Sequence, residues 1–303
     1  GRAGVQAGDR VLVHGATGAQ GAPVLDALLR EGHPVTGVAR SPEPLPAGAA
    51  AAAADLTDPR ALSRLYRGAQ GVFAHLPLGP AELQSACAES IVAAVRETRP
   101  ARVVVSTSGR IVDEPGSPLQ APDDSPIMTL IRGLGETGTA LAIVAPRLFL
   151  ENLLLPVVAG PVTEEGVLRY PLAADHAVSW SSHAEVAAAA ARLLVDPRIT
   201  GTVGVGALPA LTGPDLAAAF GAHHGRPVRY EAIAPAAFGD LISPLLGPAA
   251  AEPVVGLYQA LGTQDRTVIT EDTSAQAVLG LRPLDLGNWL AEVSAADTGT
   301  AAG

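Results

Sequence analysis

The sequence predicts an α/β fold, a Rossmann-type doubly wound parallel sheet with a smaller C-terminal substrate region, and three observations carry that expectation. Short β-branched runs alternate with longer alanine- and leucine-rich stretches over about the first 150 residues, the pattern of βαβ units around a parallel sheet. The apolar run Arg10 to His14 leads straight into Gly15-Ala16-Thr17-Gly18-Ala19-Gln20-Gly21. An amphipathic stretch follows that turn, and a second apolar run ends about twenty residues later.

Taken in order, Arg10 to His14 reads as the first strand and Pro34 to Ala39 as the second. Between them Pro23 to Arg30 continues a helix whose Val24, Leu25, Leu28 and Leu29 form one apolar stripe. Strands are expected at Gly71 to His75, Arg102 to Ser106 and Leu141 to Ala145, and helices at Pro59 to Arg67, Ala81 to Thr98 and Pro126 to Glu136. The last of these carries helix-start chemistry, Ser125 as N-cap and Pro126 in the first turn. Ser41 to Ala54 and Arg110 to Asp124 are rich in proline, alanine, glycine and acidic residues without a period and read as surface connections. The second follows a strand end, where open α/β sheets bind ligands, so a mobile lid is the alternative there. After Pro156 the alternation weakens, with a helix at Ala184 to Leu194 and a strand at Gly201 to Gly206. The expected division is a dinucleotide-binding domain over 1–155 and a smaller substrate-binding region over 156–303 that lends elements back to the sheet.

Composition narrows the function. A chain of 303 residues, 48% hydrophobic and 17% charged, buries a sizeable core; with only 3% aromatic residues, alanine, valine and leucine must fill it. The net charge of -10, with no basic run, repels nucleic-acid phosphates and anionic membrane surfaces, so neither is an expected partner. Cys87 is the single cysteine, which excludes an intrachain disulfide and fits a reducing compartment. Gly1 to Arg10 lacks the apolar core of a signal peptide, and a cytoplasmic location is expected. No histidine group has metal-ligand spacing, and no metal is expected. There is no lysine at all, so every mechanism that needs one is excluded.

Glycine belongs where a strand turns sharply into a helix and backbone must approach a pyrophosphate, and Gly15, Gly18 and Gly21 hold such places, with Thr17, Ala19 and Gln20 between them. The helix behind them would point its positive end at phosphates. Where the second strand ends, an NAD-selective site offers a carboxylate; this chain offers Ala39-Arg40-Ser41. A guanidinium there pairs with a 2′-phosphate, which favours NADP(H). Asp55 and Leu56 are expected beside the adenine, with Thr57 or Asp58 capping the helix that follows.

These residues resemble the NmrA-like branch of the atypical short-chain dehydrogenases/reductases. The resemblance rests on Gly15 to Gly21, Val38-Ala39-Arg40, Asp55-Leu56 and Pro146-Arg147-Leu148-Phe149-Leu150-Glu151-Asn152. Ser179 to Ala191, Leu211-Thr212-Gly213 and Gly225 to Tyr230 continue it in the family's order. It implies NADPH-dependent quinone, dye or natural-product reductases, and also cofactor-sensing regulators without chemistry. It further implies that His75, Leu76, Pro146 and Phe149 line the cofactor. The Tyr-x-x-x-Lys pair of ordinary short-chain dehydrogenases is absent, since no lysine exists, and the place where many relatives keep a lysine is apolar, around Ile127.

For chemistry, Ser106, Thr107 and Ser108 end a strand at the expected mouth of the cleft, where a hydroxyl orients nicotinamide or substrate. Ser106, Ser108 and His75 are the catalytic candidates, and Asn152, Tyr170, His176 and Trp180 are the substrate-facing ones. The leading expectation is an NADPH-dependent reductase of a quinone, enone or polyketide-like carbonyl. The alanine, glycine and arginine bias points to a high-GC bacterial genome and to secondary metabolism. A non-catalytic NADP-binding redox sensor and a cofactor-retaining isomerase or cyclase remain as alternatives. Expected partners are a small-molecule substrate and, for the sensor, a protein, or a second copy in a homodimer.

Overall fold

In the structure, a computed structural model, residues 10–41, 44–282 and 284–301 are described. The signal-peptide reading of Gly1 to Arg10 lies, but for Arg10, outside them, as do Pro42 and Glu43 of the first irregular stretch. Valine-rich runs form β1 (Val11–His14) and β2 (Val35–Ala39), joined by α1 (Gly21–Arg30). Then come β3 (Ala50–Ala53), α2 (Pro59–Tyr66), β4 (Gly71–Ala74), α3 (Ala81–Thr98), β5 (Arg102–Ser106), α4 (Pro126–Gly135) and β6 (Ala140–Pro146). After β7 (Leu148–Phe149) and a 3-10 turn at Leu150–Leu154 follow α5 (Pro156–Glu165), β8 (Val167–Tyr170), β9 (Ala177–Val178) and β10 (Trp180–Ser181). The chain continues through α6 (His183–Val195), β11 (Gly201–Val205), α7 (Gly213–His224), β12 (Arg229–Ala232), α8 (Pro235–Leu246) and α9 (Pro248–Leu261). It ends with β13 (Arg266–Thr267), α10 (Ala275–Leu279) and α11 (Leu286–Ala301).

The contacts divide the described chain into two units. The first draws on Gly1–Pro146, His183–Val205 and Asp272–Leu281. Its seven strands run parallel in the order β11-β6-β5-β4-β1-β2-β3. Chain order reverses between β1 and β4, which is the switch point where doubly wound sheets open a ligand crevice at the carboxyl ends of their strands. Leu12, Val72, Val103 and Val105 face Leu62, Ile91 and Leu130 of α2, α3 and α4, all but enclosed. Helix α6 packs on β4, β5 and β6 and meets α1. The Rossmann-type expectation is borne out.

One expectation changes, and one connection gains detail. The alanine run inside Ser41 to Ala54 is not all loop, because Ala50–Ala53 pairs in parallel with Thr36 to Ala39 as the edge strand β3. Alanine has little intrinsic β preference, and the ladder offered by β2 overrides it. Arg110 to Asp124 closes on itself: the Ala121 amide donates to Ile111 O at 2.7 Å, while Gln120 Nε2 donates to Val112 O at 2.9 Å and Gln120 Oε1 accepts from the Glu114 amide at 2.8 Å.

The second unit comprises Arg147–Ser182, Gly206–Glu271 and the described part of Arg282–Gly303. Three short parallel pairs, β7 with β10, β8 with β12 and β9 with β13, hold it together with α5, α7, α8, α9 and α11. Among the described residues no helix is long and apolar enough to cross a membrane.

Candidate functional site

The turn after β1 needs its glycines for stated reasons. Gly15 sits at φ +62°, and a Cβ there would lie 2.6 Å from His75 Nε2. A Cβ on Gly21 would lie 2.1 Å from the Gly15 carbonyl oxygen, so α1 can start this close to β1 only without a side chain. The first turn of α1 carries no acidic residue, and Gln20 at its N-cap makes no side-chain cap bond. The positive end of the helix is therefore uncompensated by its own sequence.

Beside the switch point a pocket is lined by His14 and Gly15 of the turn, Arg40 at the end of β2, Asp55, Leu56 and Thr57 after β3, and Pro77, Leu83 and Cys87 on the far side. Asp55 Oδ1 accepts from the Thr57 hydroxyl at 2.7 Å and from the Thr57 amide at 2.8 Å. These bonds, with Arg40 adding to them, hold the Asp55 carboxyl below its ordinary range. The cap of α2 falls to Asp58, whose carboxylate accepts from the Arg60 and Ala61 amides, and not to Thr57. Burial, reinforced by Asp55, pushes the Cys87 thiol up, which disfavours its thiolate form.

Under the turn lies a feature the sequence reading missed. His14 is 1% exposed, and its Nε2 stands 2.6 Å from the hydroxyl of the fully buried Tyr66. Burial, with His75 adding to it, holds the His14 imidazole down to about 3, and burial raises the Tyr66 phenol. Strand alternation carried the signal, since Leu12 and His14 share a face. His75 follows β4; burial lowers its pKa, its Nδ1 lies 3.3 Å from Leu76 O, and its Nε2 has no hydrogen-bond partner among the described residues.

At the end of β5 the hydroxyl candidates separate. Ser106 is fully buried and donates to Gln20 Oε1 at 2.7 Å. Ser108 is exposed at φ +56° and accepts from Gln20 Nε2 at 2.9 Å. Of the expected cofactor residues, Gly15, Arg40, Asp55 and Leu56 meet in the pocket. Thr17, Gly18 and Ala19 are exposed on the turn, and Leu76 is half-buried after His75. Pro146 is buried at the end of β6, and Phe149 stands in the second unit, paired with Ser181.

The substrate-facing candidates are inside the second unit. Tyr170 and Trp180 are each 1% exposed, their ring centroids 5.6 Å apart in a T-shaped contact. The Tyr170 hydroxyl bonds that of Tyr258, and half-buried Asn152 hydrogen-bonds both. His176, 4% exposed, places Nε2 2.8 Å from Thr267 Oγ1. These groups pack and hydrogen-bond within the second unit, Tyr170 and Trp180 against each other and His176 against Thr267. Among the described residues, no three His, Cys, Asp or Glu side chains gather as metal ligands would.

A doubly wound sheet, a glycine turn under an uncompensated helix end and a pocket at the switch point define a protein of the Rossmann class. The sequence profile of the NmrA-like family matches residues 7–286, and the chain belongs to that family. It is 33% identical over 241 residues to an NAD(P)H azoreductase of Xenophilus azovorans, across 74% of this chain and 77% of that one. Solved structures of similar fold include a triphenylmethane reductase of Citrobacter sp., with TM-score 0.76 at 18% identity over 92% of this chain and 97% of that one. Another is an NADPH-dependent quinone oxidoreductase of Escherichia coli complexed with NADPH, with TM-score 0.71 at 20% identity over 93% of this chain and 99% of that one.

Proposed function

We propose that this chain is an NADP(H)-dependent reductase of a small conjugated acceptor, a quinone or an azo compound. The observation that carries the reading is the pocket in which Gly15, Arg40, Asp55 and Leu56 converge. A phosphate-bearing dinucleotide fits what is there. Gly15 and Gly21 leave no Cβ at the turn, α1 offers an uncompensated positive end, and Arg40 stands exposed at the pocket. Arg40 would pair with a 2′-phosphate, Asp55 would accept from the adenine amine, and Leu56 would pack the ring. When bound, the dinucleotide supplies a hydride. The azoreductase relative supports a reductive activity.

The choice of acceptor follows from what the chain lacks. Without a lysine there is no lysine-assisted tyrosine to deliver a proton. Acceptors whose reduced form takes its proton from water suit such a site better than simple ketones do. Purified protein should oxidise NADPH in the presence of some member of a quinone and azo-dye panel, followed by the loss of nicotinamide absorbance. Dinucleotide binding with no turnover across that panel would defeat the reductase reading in favour of a cofactor sensor.

A further inference from the structure

We propose that Gln20 is a positioning residue that acts through Ser108, joining the glycine turn to the end of β5; the claim rests on reading that turn as a dinucleotide site. Three hydrogen bonds close a ring. Ser106 Oγ donates to Gln20 Oε1 at 2.7 Å, Gln20 Nε2 donates to Ser108 Oγ at 2.9 Å, and the Ser108 amide donates to Ser106 Oγ at 3.2 Å. The ring joins β1's turn to β5 across the intervening strand β4.

Each member is explained by the ring and by little else. Gln20 holds the N-cap of α1, a place that short oxygen-bearing side chains fill best, yet its side chain caps no amide there. Its amide is committed to the two serines. Ser108 adopts φ +56°, a left-handed conformation that is unfavourable for a non-glycine residue, and its side chain and amide are both tied within the ring. Ser106, fully buried, acts as the hub.

What the ring leaves over is one hydroxyl proton. Ser108 Oγ already accepts from Gln20, and its own hydrogen is directed to no acceptor among the described residues. A hydroxyl donor whose oxygen is held by the ring thus stands exposed at the carboxyl edge of the sheet. Its chemical complement is a hydrogen-bond acceptor, the carbonyl oxygen or azo nitrogen of the compound to be reduced. Gln20 would be held more firmly with phosphates seated on the turn and would in turn hold Ser108, so that its hydroxyl stands in place for the substrate.

The test compares the parent protein with Gln20→Met, Ser108→Ala and the double variant. Gln20→Met keeps side-chain length and loses both bonds. In the parent, NADPH should protect the amides of residues 106–110 from hydrogen exchange, and in Gln20→Met most of that protection should vanish while NADPH affinity changes less than about threefold. Turnover should fall about tenfold in each single variant and no further in the double, with KM for NADPH nearly constant. Protection by NADPH that is equal in Gln20→Met and the parent overturns the proposal, as do losses that multiply in the double variant. If the parent binds NADPH but reduces nothing, the reductase reading fails alone, and the exchange experiment still decides the role of Gln20.

Discussion

His75 stands over Gly15, its Nε2 2.6 Å from the point a Gly15 Cβ would occupy, while Gly15 holds φ +62°. Gly15→Ala therefore meets two separate penalties, a left-handed backbone worth about 1–2 kcal/mol and a clash with the imidazole. His75→Ala removes only the clash. Urea unfolding of both single variants and the double should show the double less destabilised than the sum of the singles. Simple additivity would mean that the ring swings aside freely and does not roof the turn.

Arg40 is the cation among the pocket-lining residues. Arg40→Ala should lower the preference for NADPH over NADH by about tenfold or more, the worth of a charge-assisted hydrogen bond to phosphate. Fluorescence titration with each dinucleotide gives the ratio. An unchanged ratio places the 2′-phosphate elsewhere.

His14 and His75 make stability depend on pH with a definite sign. Burial holds both below the ordinary value of 6.5, His14 down to about 3. The folded protein then binds fewer protons than the unfolded chain, so their contribution is full above about pH 6.5 and declines on acidification by up to about 1.4 kcal/mol per pH unit for each group. For His14 the decline continues toward its folded value. Denaturant melts at several pH values should show His14→Gln flatter than the parent between neutrality and pH 5. Parallel slopes would show that His14 is not held neutral.

Arg102 is 1% exposed at the start of β5 and spends its guanidinium on three carbonyls, Leu193 O at 2.8 Å, Pro197 O at 3.4 Å and Ile199 O. It closes the end of α6 onto the approach to β11. Arg102→Met fills the volume but strands those carbonyls, and should cost about 2–4 kcal/mol. Thermal unfolding reads this directly; a midpoint near the parent's would show that water replaces the guanidinium without penalty.

Most of the sheet was legible because buried parallel strands are continuous apolar runs, as Val103-Val104-Val105 and Val11-Leu12-Val13 are. Ala50–Ala53 was not, since an edge strand of alanines has no pattern of its own and exists by pairing with β2. In the site, Gly15, Arg40, Asp55 and Leu56 were legible from local spacing. Leu83 and Cys87 were not, because a wall presented by α3 is fixed by tertiary packing, with α2 and α4 as its neighbours, and leaves no motif. The burial of Tyr170 and Trp180 was not legible either: large aromatics in a chain with few of them suggest a binding surface, and both are almost fully enclosed in the second unit. The bond from Gln20 to Ser106 crosses 86 positions, beyond any window of periodicity.

The path of the chain between its two units has a consequence for anyone who wishes to divide it. The backbone changes unit after residues 146, 182, 205, 271 and 281, and β11, the outer neighbour of β6, is synthesised only after the first long excursion. A gene fragment ending near residue 155 would encode a sheet whose β6 edge is bare, an adhesive surface in place of a finished one. On the ribosome the same edge must wait for its partner, so the nascent protein is most exposed to misassembly while β7 to β10 are being made.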